Sequence, residues 1–145
     1  MKRRAVVLLC LVLTMCGRET TELSRSSYPV DAAKLSISPG PVFLYGQKNV
    51  GASISQTFQI QNTGMKTATG MSGDFGLSIT FSYPGGYPGT GGSCADSLAA
   101  GATCSIVIEF TPQYVGSFEQ TTRVTFHNGY AVVFTDYPVL RGEGT

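Results

Sequence analysis

The 145-residue chain contains a single histidine, His127, and that scarcity narrows its chemistry at once. Any Ser-His-Asp relay would have to run through His127, which stands beside an Asn128-Gly129 turn signal, and no GxSxG nucleophile motif occurs. The carboxylates Asp74, Asp96, Glu109, Glu119 and Asp136 are scattered, with no DxDxDG-like calcium loop among them. The glycines of residues 83–92 are not followed by Lys-Ser or Lys-Thr, which excludes a phosphate loop. Charge is sparse and nearly balanced, with 10 Lys and Arg against 9 Asp and Glu, so nothing recruits nucleic acid. Long apolar runs are missing too: the longest, residues 5–15, falls well short of the roughly 20 residues that a spanning helix needs. No catalytic residue, cofactor or metal is expected.

That apolar run has a different meaning. Lys2, Arg3 and Arg4 precede it as a positive n-region, so residues 1–16 read as an export signal. The signal closes in Leu13-Thr14-Met15-Cys16-Gly17, which resembles the bacterial lipobox. The resemblance implies that the Cys16 thiol is acylated with diacylglycerol and becomes the new N-terminus. Met15 departs from the Gly, Ala or Ser preferred before that cysteine, and ordinary cleavage to a secreted or periplasmic soluble protein is the alternative. Gly17 stands where an aspartate would signal retention in the inner membrane of similar lipoproteins, which points to the outer membrane. Loss of the signal leaves 7 Lys and Arg against the same 9 acids. Residues 17–33 are rich in Ser, Thr and charge and show no periodicity, as expected of a flexible tether.

Residues 34–145 are the right size for one domain with one core. Their apolar runs are short, rich in β-formers and separated by Gly, Pro and Asn. Residues 35–37 and 42–45 look like one edge strand broken by Pro39-Gly40-Pro41 as it switches sheets. Ile54, Phe58 and Ile60 share a face, and Asn62-Thr63-Gly64 turns the chain. Phe75, Leu77, Ile79, Phe81 and Tyr83 form the cleanest alternation, and Cys104, Ile106, Ile108 and Phe110 repeat it. Runs at 118–126 and 130–140 follow, joined at Asn128-Gly129 by an expected tight hairpin whose type I′ turn needs positive φ at both residues. A longer loop that includes His127 is the alternative. About seven strands predict an all-β, antiparallel β-sandwich.

With Cys10 removed and Cys16 lipidated, Cys94 and Cys104 form an even pair in an oxidising compartment and read as a disulfide. Zinc is the weaker use, since it wants four ligands and His127 is the only further soft donor. Residues 83–92, YPGGYPGTGG, put Tyr83 and Tyr87 in a glycine-rich loop whose composition suits recognition. The same loop also reads as a mobile connector whose tyrosines cap the core.

Four motifs together carry a resemblance. They are GxxxVGxxxxxxFxIxNxG at residues 46–64, the Cys-x9-Cys pair around LAAGATC, FTPxxxGxF at 110–118 and LRGEGT at 140–145. In combination they are similar to the choice-of-anchor D domain, a bacterial relative of Hydin-type and major-sperm-protein-like immunoglobulin folds. The resemblance implies an immunoglobulin-like sandwich, exported or at the surface, with no catalytic residues. This chain carries a single copy. The functional expectation is a non-enzymatic, lipid-anchored envelope module that touches the membrane through its anchor alone and binds a protein partner. A carbohydrate-binding or adhesin-like module, with glycan on Tyr83 and Tyr87, is the alternative.

Overall fold

The computed structural model describes residues 29–135 and 138–145, and every regular element within them is a strand. Cys16, the export signal and residues 17–28 of the tether lie outside the described residues, as does Asp136. One layer pairs β1 (Leu35–Ser38), β3 (Ile54–Asn62), β7 (Thr103–Phe110) and β5 (Phe81–Ser82) in that order. Facing it are β2 (Val42–Lys48), β11 (Val139–Gly144) and β8 (Gly116–Thr121), and beyond them β10 (Val132–Phe134), β9 (Val124–His127), β4 (Ala68–Gly73) and β6 (Ser97–Leu98). The protein is an immunoglobulin-like β-sandwich. Its pairings are antiparallel except for β2 against β11, which run parallel because the first strand crosses to the second layer after Pro39-Gly40-Pro41.

The alternating runs of β3 and β7 build the core as their parity requires. Phe58, Ile60, Ile106, Ile108 and Phe110 are fully buried, with Phe81 and Leu140 from other strands. Phe110 stacks on Phe81 at 5.0 Å between ring centroids, and its ring lies against Gly142 of β11, where a Cβ would approach it to 2.5 Å. Tyr45 of β2 packs on Phe110 and donates its hydroxyl to the Ile108 carbonyl at 2.9 Å, which ties the two layers.

Among the described residues, eleven strands replace the seven expected because long runs are interrupted. The Thr122 N–H still reaches the Pro138 carbonyl and the Thr135 N–H the Val124 carbonyl, so β8–β9 and β10–β11 form one broken hairpin. The turn of this hairpin is not the tight Asn128-Gly129 pair. His127 pairs with Val132, four residues lie between them, and Gly129 has a φ of 96°. The Asn128 side chain accepts the Tyr130 and Ala131 N–H groups at 2.9 Å each, so an Asx turn displaces the type I′ geometry.

The alternation at 75–83 fails in its middle. The Asp74 carboxylate accepts the Gly76 N–H at 2.8 Å, Gly76 has a φ of 60°, and the Ser78 N–H turns back to the Phe75 carbonyl. These local bonds remove the ladder there, so Leu77 is fully exposed at 101% and Ile79 is 72% exposed, while Phe75, Phe81 and Tyr83 return to the core. β4, with sequence ATGMSG, lacks the β-branched signature and was hidden in composition; Gly70, with positive φ, sits within its register break. The packed unit also begins before residue 34, since Ala32 and Ala33 are buried.

Candidate functional site

Two loop ends and one lateral loop hold the groups that could engage a ligand. The lateral loop is residues 83–92, and it lies along β7 with both tyrosines packed inward, as in the connector reading of the same segment. The Val107 N–H donates to the Pro88 carbonyl at 2.8 Å, and the Ser93 and Cys94 N–H groups both reach the Ser105 carbonyl. Gly89 has φ +90° and approaches so closely that a Cβ would lie 2.2 Å from the Val107 carbonyl oxygen. The loop thereby shields main-chain groups that an open edge would present.

Tyr83 is buried and Tyr87 half-buried, their rings meeting edge to face at 5.4 Å, with Phe75 stacked on Tyr83 at 5.0 Å. Gly73 makes room for both, because a Cβ there would stand 2.7 Å from the Tyr83 hydroxyl and 2.9 Å from the Tyr87 ring. Both phenol oxygens are buried without a hydrogen-bond partner. Burial pushes Tyr83 far above the ordinary tyrosine value, helped by Tyr87 and Asp74, and pushes Tyr87 up to about 12. An adjoining hollow of about 200 Å³ reaches Asp74 and Ser78. The two tyrosines form a packed, edge-to-face pair.

Cys94 and Cys104 are joined as a disulfide, both sulfurs buried, across a sequence separation of 10. Ser93 and Ser105 beside them hydrogen-bond side chain to side chain at 3.0 Å. His127 is exposed, and its Nδ1 accepts the Gly129 N–H at 3.1 Å. Among the described residues, no three His, Cys, Asp or Glu side chains are grouped to hold a metal.

At one end of the sandwich, residues 29–34 form a strap between the 62–66 and 128–131 turns. Two buried asparagines hold it. Asn62 Oδ1 accepts the Lys34 and Gly64 N–H groups, and its Nδ2 donates to the Lys66 and Leu98 carbonyls. The Asn128 carbonyl accepts the Ala33 N–H. Outside, the Tyr130 hydroxyl donates to Asp31 at 2.7 Å, and Lys66 stands 3.5 Å from that carboxylate and 3.8 Å from the Tyr130 ring centroid. The Tyr130 bond, with Lys66 alongside, lowers Asp31 below its ordinary value. Between strap and β10 lies a cleft of about 540 Å³, with Val30, Met65 and Phe134 exposed on its lining.

The opposite end carries a second apolar group. The Gly51 N–H reaches the Pro112 carbonyl and the Thr111 N–H the Thr80 carbonyl, which brings the 49–52, 77–80 and 111–115 loops together. Exposed there are Val50, Leu77, Ile79, Tyr114 and Val115. Sequence reasoning missed this tip by reading Leu77 and Ile79 as the same face of one alternating strand; the Asp74-x-Gly76 turn inside the alternation was the available signal.

No family model matches the chain, and no curated protein matches it in sequence. Solved structures do match in fold. The ASH/PapD-like domain 7 of human CEP192 aligns with a TM-score of 0.59 at 12% identity, covering 87% of this chain and 95% of that domain. The Vibrio cholerae VesB protease aligns at 0.59 and 20% identity over 75% of this chain, which spans only 31% of the VesB chain. A protein of unknown function from Porphyromonas gingivalis aligns at 0.54 and 11% identity, over 81% of this chain and 50% of its own length. At these identities the likeness extends to the fold alone, which is that of an immunoglobulin-like β-sandwich.

Proposed function

We propose that this protein is a non-enzymatic, lipid-anchored module of the bacterial outer membrane, of the choice-of-anchor D type, that binds a protein partner through the loop tip opposite its tether. The observation that carries this reading is the exposure of Leu77, Ile79, Tyr114 and Val115 on two loops that the Thr111 N–H and the Thr80 carbonyl hold together. Large apolar side chains grouped on a loop end, outside the core they would stabilise, mark an interaction surface. The Asp74–Gly76 turn holds them outward by its own hydrogen bond. The described chain begins at the other end of the sandwich, at Pro29 and the strap, which is in keeping with a tip that faces away from an N-terminal anchor. The Cys94–Cys104 disulfide is in keeping with a domain that matures outside the cytosol.

The test is a cross-linking pull-down from envelopes with wild type and Leu77→Ser/Ile79→Ser at matched expression. A partner recovered with wild type and lost with the variant supports the reading, and equal recovery overturns it. Anchoring is read separately, by metabolic labelling with an alkynyl fatty acid that Cys16→Ser should abolish.

A further inference from the structure

The strap end, where the described chain begins at Pro29, carries an apolar rim with Lys34 exposed on it. Val30, Met65 and Phe134 are exposed around the 540 Å³ cleft, and Val132, on the same edge strand as Phe134, is exposed too. Cations accompany these side chains: Lys34 lines the cleft, the Arg123 guanidinium lies 4.3 Å above the Phe134 ring centroid, and Lys66 covers Tyr130. Asp31, the acid described at this rim, is held by Tyr130 and Lys66. Exposed aromatic and aliphatic tips with a lysine among them are what a lipid headgroup layer accepts, the apolar parts entering the interface and Lys34 meeting anionic lipid.

We propose that this end of the domain rests on an anionic lipid surface, so that the sandwich stands on the membrane with its Leu77 tip outward. The proposal relies on lipidation of Cys16 for the tether. Twelve residues separate Cys16 from Pro29, a reach of at most ~45 Å when fully extended. A tether that short holds the rim near the bilayer at an effective concentration on the order of millimolar. Contacts too weak to recruit a free domain are therefore populated once the chain is anchored. The strap makes the arrangement stiff, because Ala33 and Lys34 are bonded into the domain through Asn128 and Asn62.

The chain has no tryptophan, which supplies a clean readout. Phe134→Trp and, at the far tip, Leu77→Trp each introduce one indole into the full-length lipidated protein. The probe is a vesicle of phosphatidylcholine and phosphatidylglycerol containing brominated acyl chains. Quenching and a blue shift are expected for Phe134→Trp and not for Leu77→Trp, and Lys34→Glu added to Phe134→Trp should reduce the quenching severalfold. An unquenched indole at Phe134→Trp overturns the proposal, as does equal quenching at both positions. Failure of acylation is distinguished by coupling Cys16 of the chain from Cys16 onward to a maleimide lipid, the other two cysteines being disulfide-bonded. Quenching in that form upholds the contact whatever the fate of natural lipidation.

Discussion

The backbone carbonyl of Asn128 accepts the Ala33 N–H at 2.9 Å, and it is available because the Asn128 side chain has taken its place within the turn. One residue thus closes a hairpin and fastens the strap. Asn62 performs the matching task with four bonds, two accepted and two donated.

These counts rank two variants. Asn128→Ala leaves two turn N–H groups without their acceptor, and Asn62→Ala removes all four bonds from a site closed to solvent. Unsatisfied groups of this kind cost about 1 to 3 kcal/mol each when buried. Urea unfolding should show both variants destabilised, Asn62→Ala the more. The opposite order would contradict the assignment of Asn62 as the main fastening of the strap.

Close approach and backbone conformation can be separated with two glycines. At Gly64 a Cβ would lie 2.2 Å from the Ala32 carbonyl and 2.5 Å from the Lys34 nitrogen, so the strap must shift to admit it. At Gly46 the φ is +74° and no atom lies within 4 Å, so only the left-handed strain of about 1 to 2 kcal/mol remains. Gly64→Ala should lower the midpoint more than Gly46→Ala and should open the 29–34 segment to protease. A Gly64→Ala protein with wild-type resistance would show that the strap is not tightly seated.

The sandwich was legible in the sequence where parity and burial agree. In β3 and β7, Phe58, Ile60, Ile106, Ile108 and Phe110 alternate, and each is buried. The sheet switch at Pro39-Gly40-Pro41 was readable from proline alone. Legibility ended where side chains compete with the ladder for backbone bonds: Asp74 unmade an expected strand, and Asn128 replaced an expected turn. It ended also where packing overrides composition, as in β4, whose Ala68 and Met71 are buried although its residues are poor strand formers. Tyr83 and Tyr87 were found as a pair, but only the fold shows them packed against each other at Gly73.

Those phenols predict an alkaline limit. Burial raises the folded-state values of Tyr83 and Tyr87 above the unfolded value near 10, with Tyr87 up to about 12. Their contribution is full below about pH 10, where both states are protonated. It is lost as pH rises from there, because the unfolded chain ionises first. Stability should therefore fall from about pH 10 upward, and Tyr83→Phe/Tyr87→Phe should flatten that slope. Near neutrality the double variant should match or exceed wild type, since it removes two unpartnered hydroxyls. An unchanged alkaline slope would place the titration elsewhere.

The disulfide has a simpler test. It closes a short loop, and such a cross-link stabilises by roughly 3 kcal/mol in the chain-entropy model. Cys94→Ala/Cys104→Ala should unfold at a lower denaturant concentration by a corresponding amount, with reducing agent then having no further effect. An oxidised and a reduced wild type of equal stability would deny the bond a structural role.

The exposure of Leu77 makes a prediction opposite to the one its sequence pattern suggests. Leu77 and Ile108 occupy equivalent places in two alternating runs, yet one is fully exposed and the other fully buried. Ile108→Ala empties a packed site between β3 and the facing layer and should cost about 2 to 5 kcal/mol. It also disturbs the carbonyl position that receives the Tyr45 hydroxyl. Leu77→Ser alters no packed contact and should change stability by less than about 0.5 kcal/mol. Chemical denaturation of the two variants side by side checks this. A large loss from Leu77→Ser would mean that residues 75–83 form the core strand after all, and the apolar tip on which partner binding rests would disappear with it.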